Sequence, residues 1–321
     1  MLCFLHFIEI FSKENAVILI LCRNREADEI SNTLKNFENV FNKAYKYPYL
    51  FLNDEEFSDE FKKKVKEVIS TDAVFGKLET HEWGYPSWID KEKAAANRKK
   101  LEKLGIIYAG SESYRHMCRF FSGFFYRNKY VKKYDYYWRI EPGVKFFCKM
   151  NYDPFEFLKK KNLEYGFIIN IREFMETIPT LWDATIEFIT KHKDMIPNQN
   201  VLKEILDNNK NYNGCHFWSN FEIANLNFFR GELYQKYFDF LDKKGGFYYE
   251  RWGDAPIHSL AASIFLGKRK IHFFEDIGYE HPPFQHCPRN PSRFPDCECN
   301  SNNSIDDGPF SCLREFIKED L

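Results

Sequence analysis

The chain has 321 residues, a length that fits one large domain or two of medium size. Apolar residues make up 44% of the chain and charged residues 29%, which excludes a disordered protein. The 46 Lys and Arg residues nearly balance the 47 Asp and Glu residues, so nothing supports a nucleic-acid binder that works by general charge attraction. Aromatic residues reach 18%, enough for a large core and for stacking on sugar-like ligands.

The N-terminal residues are apolar but interrupted. His6, Glu9 and Lys13 break the run, and no stretch approaches the ~20 apolar residues of a membrane-spanning helix. Residues 1–11 resemble a signal segment but lack a positive start and a clear cleavage site. We therefore interpret residues 1–15 as an N-terminal segment, either a buried element or the remnant of an anchor, and predict one domain over 16–321.

The first part of this domain alternates apolar strands with amphipathic helices. Strands are predicted at 16–22, 47–52 and 73–75, with helices at 27–41 and 57–69 between them. Asn53 and Glu56 predict a capping box for the second helix. The order is typical of a parallel α/β sheet, which binds ligands at the carboxyl ends of its strands. Arg23 follows the first strand and is therefore expected at a ligand site.

Later elements are predicted from the same periodicities. Helices are predicted at 91–104, 114–130, 181–193, 200–208 and 255–266, strands at 134–140, 226–230 and 271–274, a loop at 211–222 and a turn at 278–283. In the strand 134–140, alternation places Arg139 and Glu141 on the same face. Pro142 ends the strand pairing, so Glu141 stands at the carboxyl end of this strand.

The cysteines concentrate near the C-terminus. Four of the nine, Cys287, Cys297, Cys299 and Cys312, lie in a tail rich in Pro, Asn and Asp. Such a tail cannot bury a core, so disulfides are the expected staples, with a zinc site as the alternative. Disulfides imply a secretory compartment, and the glycosylation sequon that begins at Asn302 agrees with this.

Four carboxylates stand inside aromatic segments and are candidates for chemistry. They are Glu141, Glu222, Glu250 and Asp254. A carboxylate with aromatic neighbours is either a buried ion pair or a functional group. Arg139 with Glu141, and Glu250 with Arg251, are plausible structural pairs. Dinucleotide, P-loop, nucleophile-elbow and HExxH motifs are absent from the sequence.

One histidine is presented on a stiff turn. His281 precedes Pro282 and Pro283, which restrict the backbone around the imidazole. A lone His is usually not a metal ligand, but with a carboxylate such as Glu141 it offers one nitrogen and one oxygen. Phosphate oxygens and water would fill the other positions, and such a mixed site suits Mn²⁺ better than Ca²⁺.

Eight long stretches resemble the fungal α-1,2-mannosyltransferases of glycosyltransferase family 15. The stretches are AVILILCRNRE at 16–26, FNKAYKYPYLFLND at 41–54, SYRHMCRFFSGFFY at 113–126, YDYYWRIEPGVKFFC at 134–148, TIPTLW at 177–182, YNGCHFWSNFEI at 212–223, GGFYYERWGDAPIHSLA at 245–261 and DIGYEHPPFQHCP at 276–288. The resemblance spans about residues 16–312, nearly the whole chain.

The resemblance implies a GT-A-like α/β fold, with a Rossmann-like mixed sheet flanked by helices and a disulfide-rich C-terminal tail. It implies a Golgi-lumen enzyme that transfers mannose from GDP-mannose to a mannose-terminated glycan, with retention and with Mn²⁺. Membrane association would depend on an N-terminal anchor, which is not recognisable in this chain, so a soluble or truncated form stays open. The acceptor class, whether N-linked, O-linked or glycolipid, also stays open.

The resemblance further assigns roles to individual residues. Glu141 and His281 match the metal ligands of the family. Glu222 matches the candidate nucleophile, Tyr114 matches a tyrosine near the donor and its phosphate, and Asp254 matches another active-site acid.

Nucleotide and sugar contacts complete the predicted site. Arg23 matches an arginine that binds the nucleotide diphosphate in the family, and Arg139 is predicted to assist it. Trp218, Tyr248 and Trp252 are expected to form walls for sugar rings, with core packing as the alternative interpretation.

The chemistry accounts for departure of the diphosphate but leaves the route to retention open. A diphosphate departs readily only once its charge is neutralised, which a divalent ion with Arg and Tyr donors achieves. Retention requires either a covalent mannosyl-enzyme or attack on the face of departure, and the sequence does not decide between them. A catalytically inactive mannan-binding module and a metal-dependent glycoside hydrolase are the alternative functions.

Overall fold

The computed structural model describes residues 13–198, 200, 202–290 and 293–317. Its strands are Ala16–Leu21 (β1), Tyr49–Asn53 (β2), Ala73–Lys77 (β3), Tyr136–Arg139 (β4), Lys145–Phe146 (β5), Tyr165–Phe167 (β6), Asn170–Arg172 (β7), Cys215–Phe217 (β8), Glu222–Asn225 (β9), Ile271–Phe273 (β10), Tyr279–His281 (β11) and Phe284–His286 (β12). Its α-helices are Ala27–Phe37 (α1), Lys43–Tyr45 (α2), Asp59–Lys66 (α3), Lys91–Lys103 (α4), Glu112–Gly123 (α5), Pro154–Lys160 (α6), Leu181–Lys191 (α7), Leu226–Arg230 (α8), Glu232–Lys244 (α9), Gly246–Tyr249 (α10), Asp254–Phe265 (α11) and Leu313–Ile317 (α12).

The main sheet is mixed and has the strand order β10-β6-β9-β4-β1-β2-β3. Strands β1 to β4 run parallel to one another, whereas β9 is antiparallel to both β4 and β6. Two smaller sheets have the orders β12-β11-β5 and β7-β8. The predicted α/β class with a mixed, Rossmann-like sheet is confirmed.

Strand β1 lies between β4 and β2 in the main sheet, and both of its faces are apolar. Val17 and Leu19 belong to one core cluster, and Ile18 and Ile20 belong to the other. Both faces of the sheet are therefore covered, as a continuous apolar run predicts. In β4, Tyr137 packs into the first cluster and Trp138 into the second, which confirms the predicted alternation in this strand.

Several local predictions are wrong. The predicted loop at 211–222 contains strand β8, the predicted turn at 278–283 contains strand β11, and the predicted helix at 200–208 is a short 3-10 turn over Leu202–Ile205. Asn53 ends β2 and does not cap a helix, because α3 begins after Ser58, whose hydroxyl accepts a hydrogen bond from the Phe61 N–H at 3.1 Å. The segment 226–230 is helix α8 rather than a strand. Asn225 starts this helix by accepting from the Asn227 N–H at 3.0 Å, and the strand β9 lies just before it.

Disulfides attach the C-terminal tail to the rest of the protein. Cys148 pairs with Cys297, Cys215 with Cys312, and Cys287 with Cys299. The expected disulfides are confirmed, and two of these three join the tail to the body. Cys22 and Cys118 are buried free thiols. The zinc alternative gains no support, since the described residues hold no group of three or more His, Cys, Asp or Glu suited to a metal.

Loss of the Cys215–Cys312 disulfide is expected to destabilise the fold. The bond links residues 97 apart in sequence, so breaking it releases a long loop in the unfolded chain. We expect Cys215→Ser to lower the free energy of unfolding by about 2–5 kcal/mol, measured by urea denaturation. Cys312→Ser should have the same effect. Equal stability of either variant and the wild type would contradict this prediction.

Within the described residues, the helices are too short or too polar to span a membrane. Residues 1–12 of the predicted N-terminal segment 1–15 lie outside the described residues, as does Cys3. The domain boundary at residue 16 stays a prediction.

Candidate active site

A cavity of about 680 Å³ opens beside the carboxyl ends of the parallel strands. Arg23, which follows β1, Asn53 at the end of β2, and Glu141, which follows β4, all line it. This is the edge at which parallel α/β sheets bind ligands. The structure places Arg23, which was expected at a ligand site, and Glu141, which was expected at the carboxyl end of its strand, in the lining of one cavity.

The hairpin β11–β12 brings His281 to Glu141. The imidazole Nε2 of His281 lies 3.6 Å from Oε2 of Glu141, and both residues line the cavity. Burial by itself would raise the pKa of the Glu141 carboxyl, but the charges of Arg139 and His281 outweigh this and lower it to about 2. Burial would lower the pKa of His281, but the contact with Glu141 outweighs it and raises that pKa. Glu141 is therefore ionised at neutral pH.

This pair fits a small divalent cation. Two donor atoms 3.6 Å apart can both lie about 2.0–2.2 Å from one ion. The described residues contain no group of three or more His, Cys, Asp or Glu that would complete a protein-only site. Other donors, such as phosphate oxygens and water, would have to supply the remaining positions. An oxygen and nitrogen donor set of this kind suits Mn²⁺.

Arg139 is a fixed positive charge in the wall of the cavity. Its guanidinium is buried, bonds to Glu141 and lies 2.5 Å from Oδ2 of Asp254. Its face rests on the Phe121 ring at 3.6 Å. Asp254 also accepts a hydrogen bond from Ser219 Oγ at 2.7 Å. The predicted Arg139–Glu141 pair is present, and Asp254 holds the same arginine from the other side.

The Tyr114 hydroxyl is held by Arg251, which was predicted to pair with Glu250. Its hydroxyl accepts a hydrogen bond from Arg251 Nη1 at 2.9 Å, and Arg251 Nη2 also lies 3.2 Å from Oε1 of Glu173. All three residues line the cavity. The predicted pair of Glu250 with Arg251 is wrong, because Glu250 instead accepts from Trp252 Nε1 at 2.6 Å. Local sequence contains no signal that Glu173 would lie here.

Of the three aromatic residues predicted to form walls for sugar rings, one lines the cavity and two belong to the core. Trp218 lines the cavity, with its ring edge-on to His281 at 4.9 Å. Tyr248 is buried away from the cavity lining and its hydroxyl donates to the Gly84 carbonyl at 2.8 Å. Trp252 is also buried, with its indole packed directly against the Gly246 backbone. The expectation that Tyr248 and Trp252 contact a sugar is corrected: both are core residues.

Trp252 is therefore expected to act on stability. Trp252→Ala removes a fully buried indole, and we expect it to lower the free energy of unfolding by about 3–5 kcal/mol in urea denaturation. Trp88→Ala is the matched control and should cost less, because the Trp88 side chain is 49% exposed. A Trp252→Ala variant of wild-type stability with a raised KM for the acceptor would restore the sugar-wall interpretation.

Glu222 lies behind the cavity rather than in its wall. It is fully buried on β9, is not part of the cavity lining, and stands opposite Arg139 in the pairing of β9 with β4. Its carboxylate accepts from the Tyr165 hydroxyl and from His258 Nδ1 at 2.8 Å. This placement does not match a nucleophile in contact with a sugar in the cavity. His258, which sequence reasoning missed, follows Asp254 by four residues on helix α11.

A parallel-rich sheet with fixed cations and an acid–imidazole pair at its carboxyl edge can bind an anionic nucleotide together with a divalent ion, and the class of this protein is a glycosyltransferase. The chain belongs to glycosyltransferase family 15. Residues 4–320 match the family described as glycolipid 2-alpha-mannosyltransferase.

Relatives and solved structures agree with this family. The O-glycoside alpha-1,2-mannosyltransferase omh1 of Schizosaccharomyces pombe is 50% identical over 303 residues, which cover 94% of this chain and 78% of that protein. Glycolipid 2-alpha-mannosyltransferase 1 of Candida albicans is 48% identical, covering 95% and 71%.

Two solved structures are similar throughout. Ktr4p of S. cerevisiae in complex with GDP has a TM-score of 0.92 and 40% identity, covering 96% of this chain and 82% of that chain. The Mn/GDP form of core-mannan synthase A from Aspergillus fumigatus has a TM-score of 0.90 and 37% identity, covering 96% and 85%. The hydrolase alternative is set aside, because these relatives are named as transferases and synthases.

Proposed function

We propose that this protein is a retaining α-1,2-mannosyltransferase that moves mannose from GDP-mannose to a mannose-terminated glycan. The observation that carries the proposal is the Glu141–His281 pair, 3.6 Å apart in the wall of a cavity large enough for a nucleotide sugar. The names of the relatives support the transferred sugar and the linkage. The solved GDP complexes support the nucleotide, and the Mn/GDP form supports Mn²⁺. We place this ion at Glu141 and His281.

The chain supplies fixed positive charge for a departing diphosphate. Arg139 is held by Asp254 and Phe121, so its charge is in place before the substrate binds and needs no reorganisation during the reaction. Arg23 lines the same cavity. The Tyr114 hydroxyl is oriented by Arg251 and can donate its proton in a hydrogen bond to a phosphate oxygen. A bound divalent ion would neutralise the charge that develops on the leaving group.

For retention, we favour attack on the face from which the diphosphate departs. A covalent mannosyl-enzyme needs a carboxylate that reaches the anomeric carbon. Glu222 lies outside the cavity lining, and the Oδ2 atom of Asp254 is occupied by Arg139 and Ser219. We assign Asp254 to positioning Arg139, and Trp218 to the wall against which a sugar packs.

The disulfides that join the tail to the body support an oxidising compartment. We therefore propose that the protein works in the Golgi lumen. Membrane attachment through a preceding anchor is part of the same proposal. Expression in yeast followed by organelle fractionation tests this location.

Metal removal tests the proposed reaction. Incubation with GDP-mannose, α-methyl mannoside and Mn²⁺ is expected to yield an α-1,2-linked disaccharide, identified by NMR. EDTA should lower the rate at least about 100-fold, because the charge stabilisation supplied by the ion contributes several kcal/mol, and added Mn²⁺ should restore it. Binding of GDP without any disaccharide product would instead indicate the inactive mannan-binding module.

A further inference from the structure

Large exposed apolar side chains concentrate at the rim of the cavity. Among the described residues, the exposed large apolar side chains are those of Trp88, Leu104, Ile107, Tyr108, Phe174, Met175, Ile186 and Phe310. Half of them, Ile107, Tyr108, Phe174 and Phe310, also line the cavity. Exposed apolar surface that gathers beside a cavity with polar residues marks a binding surface.

Two of these residues sit on a rigid part of the fold. Phe174 is 56% exposed and follows β7 by two residues, and Phe310 is 52% exposed and lies in the C-terminal tail. The Arg172 N–H donates to the Phe310 carbonyl at 2.9 Å, which ties the tail to the end of β7. The Cys215–Cys312 disulfide anchors the same part of the tail to β8. The backbone that carries these two aromatic side chains is therefore held by the end of β7, a backbone hydrogen bond and a disulfide.

A polar group lies in the wall beside these rings. His216 on β8 lines the cavity and is paired in register with Ile171 of β7. Its Nδ1 donates to the Gly214 carbonyl at 3.2 Å, and burial lowers the pKa of the ring, so the neutral imidazole keeps Nε2 as a hydrogen-bond acceptor. Aromatic faces next to a hydrogen-bond acceptor match a sugar, which has an apolar C–H face and a rim of hydroxyl donors.

The two charged groups assigned to the donor, Arg139 and Glu141, belong to a different part of the fold from the exposed aromatic residues. Arg139 ends β4 of the main sheet and Glu141 follows it by two residues. Phe174 instead follows β7, His216 lies on β8, and Phe310 lies in the tail. The first set suits the diphosphate of the donor. The second set carries the exposed aromatic surface, which a diphosphate does not require.

We propose that Phe174 and Phe310 form an acceptor platform that binds the second mannose of a linear oligomannoside, next to the sugar that accepts the new residue. The inference rests on the proposed mannosyltransferase function and names its acceptor class: mannosides of two or more units. The ring faces stack on the second mannose, and His216 accepts a hydrogen bond from an acceptor hydroxyl.

The test compares acceptors of two lengths. Values of kcat/KM are measured with GDP-mannose and either α-methyl mannoside or methyl α-1,2-mannobioside. We expect the wild type to prefer the disaccharide, and Phe174→Ala and Phe310→Ala each to lower that preference about fivefold to tenfold, as the loss of one aromatic stacking partner predicts. Phe310→Tyr keeps the ring face and should restore the preference.

Ile186→Ala provides the matched control, because Ile186 is an exposed apolar residue of α7 that does not line the cavity. It should keep the wild-type preference. An unchanged preference in both Phe variants, or equal losses with both acceptors, would overturn the platform while leaving the transferase function intact. A singly O-mannosylated peptide serves as a third acceptor. If the Phe variants lost kcat/KM only with this peptide, the platform would also be overturned and a peptide contact indicated. Absence of transfer by the wild type with every acceptor would instead refute the proposed function.

Discussion

Glu141→Gln is expected to lower kcat/KM for mannose transfer by about 10²–10³-fold, the cost typical of losing one charge-stabilising group in an active site. The substitution keeps the size of the side chain but removes the negative charge that faces His281 and Arg139. A neutral amide is a poor ligand for a divalent cation, so the metal and the nucleotide should no longer bind cooperatively. Thermal shift with GDP and Mn²⁺, added separately and together, measures this coupling.

Glu280→Gln is the control for this experiment. Glu280 neighbours His281 on β11 but does not line the cavity, so its variant should keep both transfer and coupling. Wild-type protein should show a larger shift with GDP and Mn²⁺ together than the sum of the separate shifts. A Glu141→Gln variant that retained this coupling would remove Glu141 from the proposed metal site.

Glu222→Ala is expected to lower the free energy of unfolding by about 3–5 kcal/mol, measured by urea denaturation. Burial alone would lower the pKa of His258, but the adjacent Glu222 outweighs it and raises that pKa. Removing the carboxylate leaves the fully buried imidazole and the Tyr165 hydroxyl without their partner. An unpaired buried polar group costs its full desolvation energy.

A double-mutant cycle separates this pair from other effects. Glu222→Ala with His258→Ala should cost clearly less than the sum of the two single variants, because each single variant already breaks the same contact. A nucleophile role for Glu222 predicts a different outcome. If Glu222→Gln unfolded like the wild type but lost turnover, and a mannosyl adduct of the wild type at Glu222 were trapped by mass spectrometry, the nucleophile role implied by the family resemblance would hold.

The acceptor platform could not be predicted from local sequence patterns. Phe174 and Phe310 lie 136 positions apart, in segments with no shared motif. They meet at one rim only because the tail adds to the end of β7 and is anchored by a disulfide. Sequence spacing gives no sign that these two residues line one cavity, which is why neither residue was a candidate.

The sequence by itself determined the features that depend on near neighbours. Apolar runs and amphipathic spacing placed β1 to β3 and helix α1, because burial on one or two faces imposes a short period on the residues. Alternation in β4 placed Glu141 at a carboxyl end, and the family motifs paired it with His281, which the structure brings within 3.6 Å.

Only the tertiary structure decided which polar and aromatic residues face the ligand. Trp218 and Trp252 come from similar aromatic motifs, yet one lines the cavity and the other is core. Glu222 was separated from the cavity, and Arg251 was joined to Glu173, by elements distant in sequence. The physical reason is that burial and charge pairing depend on what packs against a side chain, and those partners lie far away along the chain.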